Sequence, residues 1–262
     1  MLEVEHLGKR FGGLAAVHDV STRVEPGKVN AIIGPNGAGK TTFFNLIAGA
    51  MSPTSGRIRF KGQDVTGLRA DQMARLGVAR TFQTTTLFDQ ATVLDNLIVG
   101  HRLRTRSGLV DVLLGTPRLK AEEKACREKA RAALDFVGCA RLEHRLAADI
   151  SQEERKRVAF ALALATEPQL VLLDEPAGGV NPEETQGLAT LIRKMVAHGL
   201  TVCLIEHKMD MIMNLADKIL VLHHGEKIAE GTPAQIKADP AVIEAYLGVQ
   251  DEAQQEAAHA AA

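Results

Sequence analysis

The eight residues Gly34-Pro35-Asn36-Gly37-Ala38-Gly39-Lys40-Thr41 constrain this chain more than any other stretch. They fit the pattern GxxxxGK[ST], and they sit between an apolar run, Val29 to Ile33, that reads as a strand and a segment from Thr42 to Ala50 that reads as a helix. A strand that runs through glycines into a helix lets consecutive backbone N–H groups curl around an anion, and the helix N-terminus adds its partial positive charge. Lys40 can reach β- and γ-phosphates as a mobile point charge, and the Thr41 hydroxyl suits Mg²⁺. A plain glycine-rich turn explains neither the full match nor its context. The segment therefore predicts a nucleoside triphosphate site.

The second half of such a site is a pair of carboxylates at the end of a buried strand, and Leu170-Val171-Leu172-Leu173-Asp174-Glu175 supplies it. Asp174 is placed to hold Mg²⁺ through water, and Glu175 to accept a proton from the attacking water or orient it. Standing alone, the segment would read as an acidic turn onto Pro176. The phosphate loop makes that reading a poor one.

Further β-type runs, Thr201 to Ile205 and Lys218 to Leu222, alternate with helical patterns, which predicts an α/β fold. From about Gln90 to Arg157 the texture changes to long helical stretches, in which Cys126, Ala130, Ala133 and Val137 share one face and Gly138 caps the end. Residues from Arg104 to Pro117 read as a loop with one short apolar segment. The expected organisation is an α/β nucleotide-binding core over 1–89 and 158–250, a helical subdomain over 90–157, and a frayed, alanine-rich tail over 251–262.

Composition then narrows the function. The 262 residues carry 31 Lys+Arg against 32 Asp+Glu, no Trp and 3% aromatics, so neither a basic surface nor rows of stacking rings point to nucleic acid. The three cysteines, Cys126, Cys139 and Cys203, match no zinc spacing and read as buried thiols in a reducing compartment. No run approaches the ~18 apolar residues of a membrane-spanning helix, and the N-terminus carries no secretory pattern. Any membrane is expected to be met through a partner.

Taken together, these residues resemble the ATP-binding subunits of ABC transporters over nearly the whole chain, from Leu2 to about Gly248. That resemblance implies a P-loop ABC ATPase core, a mixed β-sheet with flanking helices, plus a helical subdomain. It implies ATP bound by Gly34, Pro35, Asn36, Gly37, Ala38, Gly39, Lys40, Thr41 and Thr42, with Phe11 of KRFGG stacked on adenine. Thr41, Asp174 and Gln83 of ARTFQ would meet Mg²⁺, Glu175 and Gln83 would serve hydrolysis, and His207 of LIEHKMD, 32 residues after Glu175, would contact the γ-phosphate. Asn181, where many members have Asp, falls in the loop that crosses the dimer interface. The segments ARTFQTTTLF, LDEPAGGVNPEET and GTPAQIKADPAVIEAYLGV look most like subunits that serve branched-chain amino-acid uptake, with related small polar solutes as alternatives. The implied partners are membrane-spanning permease subunits, a second ATPase subunit and, indirectly, a solute-binding protein. The implied location is the cytoplasmic face of the cell membrane.

One segment departs from the pattern. The family signature, LSGGQ or L-x-Y-G-Q, aligns with Ile150-Ser151-Gln152-Glu153-Glu154, so Ser151 is kept while Gln152 and Glu153 replace both glycines. Signature glycines let backbone N–H groups approach the partner's γ-phosphate. A Glu153 carboxylate about 4 Å from a phosphate charge would repel it by several kcal/mol at an effective dielectric of about 20. Ser151 to Glu154 also reads as a capping box at a helix start. Pairing with a different ATPase subunit is the favoured expectation, with a slow homodimer as the alternative. A nucleotide-binding regulatory or impaired subunit, active only beside a second ATPase, also stays open. An ATPase acting on DNA or ribosomes would need tandem halves or a long coiled coil, and a small-molecule kinase would leave Gln83 and His207 unexplained.

Overall fold

The computed structural model describes residues 1–81, 87–101 and 107–246. In chain order its strands are β1 (Leu2–Phe11), β2 (Leu14–Val24), β3 (Val29–Ile33), β4 (Ser55–Phe60), β5 (Gln63–Asp64), β6 (Val78–Arg80), β7 (Leu170–Asp174), β8 (Thr201–Ile205), β9 (Lys218–His223) and β10 (Glu226–Gly231). The helices are α1 (Lys40–Ile47), α2 (Ala70–Leu76), α3 (Val93–His101), α4 (Leu109–Leu114), α5 (Pro117–Phe136), α6 (Gln152–Ala165), α7 (Pro182–Ala197), α8 (Met209–Leu215) and α9 (Pro233–Ala238).

Six strands form one sheet in the order β10-β9-β3-β8-β7-β6. Its neighbours from β9 to β6 pair in parallel, and β10 adds an antiparallel edge. The central strands are apolar on both faces because helices or strands cover both. Leu170 and Leu172 of β7 pack with Phe43 and Phe44 of α1, whereas Val171 and Leu173 join the cluster built by α3 and α5 to α8. The other four strands form an antiparallel sheet, β2-β1-β4-β5, which closes over α1 from the other side. The sequence pattern does not reveal that second sheet. Its strands show one face to solvent, and β1 and β2 carry register breaks, with His6 at φ 48° and Asp19 at φ 51° interrupting the period of two.

Between β6 and β7, α3, α5 and α6 pack against one another with no intervening strand among the described residues. The face of α5 formed by Cys126, Ala130 and Ala133 is buried, and Gly138 follows its end at φ 74°, as the pattern predicts. Two expectations need correction. The stretch from Arg104 to Pro117, expected as a loop, contains α4, which is short enough for its apolar run to be mistaken for a loop segment. The expected boundary at 157/158 falls inside α6, because the capping box starts that helix at Ser151 and Val158, Phe160 and Ala161 continue it into the same core. The tail over 251–262 lies outside the described residues.

Candidate functional site

The phosphate loop leaves β3 at its C-terminal end, where ligands of open α/β sheets gather. Two close approaches shape it. A Cβ on Gly34 would collide with the Leu222 carbonyl, and one on Gly39 with the Ala16 carbonyl. The loop is wedged between the start of β2 and the β9–β10 turn, where the Gly225 N–H donates to the Ala38 carbonyl (3.1 Å) and the His18 N–H to the Gly225 carbonyl (2.8 Å). Asn36 and Gly37 face outward, and Gly37, at φ 76°, has open space on its Cβ side. Phe11 ends β1 beside the Gly12-Gly13 turn, 47% exposed, with the Lys9 ammonium 5.3 Å from its ring centre.

Lys40 opens α1 and is buried. Its ammonium donates to the Gly34 and Pro35 carbonyls at 2.7 and 2.8 Å. Burial lowers its pKa below the ordinary lysine value, and the nearby Glu175 carboxylate opposes that shift. The two halves of the predicted site thus meet. Thr41 is exposed at the first turn of α1, Thr42 is half-buried, and Asn45, four residues after Thr41, shares its helix face.

Asp174 ends β7, 3% exposed, and its Oδ2 accepts from the Arg80 guanidinium at 2.7 Å. Arg80 also donates to Asn45 Oδ1 (2.6 Å), so it spans from α1 to the end of β7. Asp174 Oδ1 is buried and has no hydrogen-bond partner among the described residues. A buried carboxylate oxygen without a partner fits a hard divalent cation, and the exposed Thr41 hydroxyl is an oxygen donor of the same kind. Glu175 follows at φ 47°, a left-handed conformation that costs a non-glycine residue of order 1–3 kcal/mol, and its N–H donates to the Ile205 carbonyl (3.0 Å). Its Oε1 lies 3.0 Å from His207 Nε2. The two residues that the sequence sets 32 positions apart are in direct contact. Gln83 lies outside the described residues; beside it, the Thr81 N–H donates to the Leu172 carbonyl (2.9 Å).

The altered segment starts α6. The Glu154 N–H donates to Ser151 Oγ (3.2 Å) and the Ser151 N–H to Glu154 Oε2 (2.8 Å), completing the capping box. Gln152 is exposed. Glu153, expected to project toward a partner's phosphate, turns back along the helix, with its Oε1 2.7 Å from Arg157 Nε one turn on. Asn181 caps α7, its Oδ1 accepting from the Glu184 N–H at 2.9 Å.

Comparison with known families decides what this arrangement belongs to. The family described as "ABC transporter" matches residues 17–178, spanning the phosphate loop and the carboxylate pair. The chain belongs to the ABC transporter ATP-binding family. A second family, "Branched-chain amino acid ATP-binding cassette transporter", matches residues 226–252. This ABC subunit is 42% identical over 249 residues to the high-affinity branched-chain amino acid transport ATP-binding protein BraF of Pseudomonas aeruginosa, covering 95% of this chain and 98% of that protein. It is 41% identical, with the same coverage, to the corresponding protein LivG of Escherichia coli K12. Among solved structures, an ATP-binding cassette of an ABC transporter in its ADP conformation superposes with a TM-score of 0.83 at 34% identity, covering 95% of this chain and 98% of that one. A nucleotide-free cassette superposes with a TM-score of 0.82. The chain is an ABC ATPase subunit homologous to branched-chain amino-acid transport ATPases.

Sequence reading of this ABC subunit misses two charged partners, the half-buried Arg80 and the buried Glu206. Arg80 lies within ARTFQ, but its partner is 94 residues away and only the β6–β7 pairing brings them together. Glu206 lies beside His207 and is only 3% exposed, which a strand-end position does not reveal. Tyr246 also reaches the site: burial raises the pKa of its hydroxyl to about 12, opposed by the backbone of Gly34.

Proposed function

We propose that this chain hydrolyses ATP to power import of branched-chain amino acids or similar small polar solutes, bound at the inner face of a membrane through permease subunits. The observation that carries this reading is the meeting of Lys40, Glu175 and His207 at the end of the parallel sheet. The names of the relatives, which are branched-chain amino acid transport proteins, support the solute class. The division into an α/β core and a helical lobe belongs to the same proposal, with α6 running unbroken through the expected boundary at 157/158.

In this reading the loop from Gly34 to Thr42 takes the phosphates, and Phe11 covers the adenine with its exposed ring. Lys40 exchanges its carbonyl partners for phosphate oxygens. Glu175 accepts a proton from the attacking water, and His207, at hydrogen-bond distance from Glu175, steadies that carboxylate and the γ-phosphate. Thr41, Asp174 and Gln83 would hold Mg²⁺, which when bound neutralises charge building on the phosphates. Positioning and electrostatics supply most of the rate gain. No helix among the described residues is long and apolar enough to cross a membrane. A groove of about 370 Å³ between α2, α3 and α6, rimmed by exposed Phe88 and Val99, supports docking of a permease segment beside Thr81. Gln152 and Glu153 favour a second, different ATPase subunit whose own signature faces this phosphate loop, over a homodimer.

The test is ATP binding and turnover by the purified chain and two variants. Glu175→Gln is expected to keep ATP affinity and to lose ~10²–10⁴-fold in turnover, and beside the second ATPase subunit to accumulate a closed, ATP-bound dimer seen by size-exclusion chromatography. Lys40→Ala is expected to lose ATP affinity. Turnover at the wild-type rate in the first variant, or full affinity in the second, would sink the corresponding role.

A further inference from the structure

We propose that Glu206 is a positioning residue for hydrolysis: its one buried carboxylate ties the turn that carries Glu175 to the loop that carries His207. The inference rests on the roles given to Glu175 and His207 above. Each oxygen of Glu206 serves a different loop. Oε1 accepts from the Ala177 N–H at 2.6 Å, two residues after Glu175. Oε2 accepts from the His207 N–H at 2.9 Å and the Lys208 N–H at 3.3 Å. The loops that hold Glu175 and His207, whose Oε1 and Nε2 lie 3.0 Å apart, are thus also joined by one rigid planar group.

The turn itself needs such a brace. Glu175 sits at φ 47°, its carbonyl accepts from the Gly178 N–H (3.1 Å), and Ala177 is fully buried. A strained, tight turn holds its side chain in one direction only if the surroundings over-determine it. Two lysines complete the brace by taking the carbonyls that alternate with the Ala177 amide. Lys156 of α6 donates to the Pro176 carbonyl at 3.1 Å and to the Gly178 carbonyl, and Lys208 donates to the Val180 carbonyl at 2.9 Å and to Thr185 Oγ1 at 2.8 Å. Burial lowers the Lys156 pKa while Glu206 opposes that shift, and Lys208 also lies within its field, so the three charges surround one loop. A buried carboxylate is costly unless hydrogen-bonded and countered by charge, and here both conditions are met. A group that only capped a loop would need one acceptor. Glu206 uses two, one for the loop of Glu175 and one for the loop of His207.

The decisive variant is Glu206→Gln, which keeps shape but offers one oxygen acceptor and places an NH₂ donor against an N–H of one loop. Three readouts are taken on the whole chain. Amide hydrogen exchange is expected to rise tenfold or more at both 177–178 and 207–208, with the remaining core unchanged. ATP affinity should stay within threefold while kcat falls at least tenfold. His207→Ala combined with Glu206→Gln should be no more than about twofold slower than His207→Ala alone, because residues acting through one another are not additive. Exchange that rises at one loop only, or everywhere, overturns the proposal. So does an unaltered kcat, or a double-variant loss equal to the product of the single losses, which is what a separate structural role gives. If Glu206→Gln does not fold, Glu206→Asp keeps charge and both acceptors one methylene short and takes the same measurements. A wild-type chain that turns over no ATP in any assembly would instead refute the functional reading, and the exchange experiment would still decide whether Glu206 joins the two loops.

Discussion

At the residue scale, the least expected contact is between Arg80 and Asp174. Asp174 has one oxygen on the Arg80 guanidinium and, among the described residues, no hydrogen-bond partner on the other, while Arg80 holds Asn45 of α1 with its second arm. Removing one member of a buried ion pair leaves an uncompensated charge, which costs far more than the intact pair contributes. Arg80→Ala is therefore expected to lower the unfolding free energy by roughly 3–5 kcal/mol in urea titration, and Arg80→Lys by less, since its ammonium keeps the charge although not the two-armed geometry. A loss below about 1 kcal/mol for Arg80→Ala would show that Asp174 is solvated well enough without it. The carboxylate pair is legible because two acids at the end of a wholly apolar strand, in a chain that also carries a phosphate loop, make sense chiefly around a metal and a water. Arg80 is not, because a single basic residue at a strand end carries no mark of a partner that only strand register supplies.

At the scale of elements, legibility follows burial. Strands β3, β7, β8 and β9 are largely apolar and buried on both faces, so the sheet that carries the site is visible in the sequence. The antiparallel sheet is hidden: β2 reads LAAVHDVSTRV, half-exposed and interrupted, and nothing local says that it pairs with β1 and lies against the phosphate loop. Helix α6 is legible at its start and misleading in its side chains. The capping box forms as predicted, but the Glu153 carboxylate engages Arg157, which tempers the repulsion that an isolated carboxylate would exert. Changing Gln152 and Glu153 together to Gly removes that pair and adds two glycines to the first turn, for a loss of about 1–2 kcal/mol in stability. The same variant is expected to turn over ATP faster than the native chain, with a rate that climbs steeply with protein concentration as identical chains pair. Equal turnover would mean that the native segment already serves a partner's phosphate, and the preference for a second, different subunit would fall.

At the scale of the molecule, one carboxylate spans the two sheets. Glu230 of β10 accepts from Thr22 of β2 (2.7 Å) and from Lys218 and Lys227 (2.6 and 2.8 Å), while Lys218 also donates to the Arg23 carbonyl. Burial raises the Glu230 pKa, but hydrogen bonds from Lys218, Lys227 and Thr22 outweigh it and bring the group to about 2. A folded pKa below the unfolded one contributes stability that is complete above about 4.5 and drains away as pH falls through 2, here of order 3 kcal/mol. Thermal melts between pH 6 and 2 should fall steeply in that window, and Glu230→Gln should flatten the slope; an unchanged slope would remove Glu230 from this role. The wedging of the phosphate loop between Ala16 and Gly225 has a different consequence, for the order of events in folding. Eight residues contiguous in sequence take their shape only when a hairpin from the beginning of the chain and a turn near its other end have both arrived. Contacts that close such long stretches of chain are slow to form. The most local motif in the protein is thus completed late, and the capacity to hold nucleotide marks the end of folding rather than its first success.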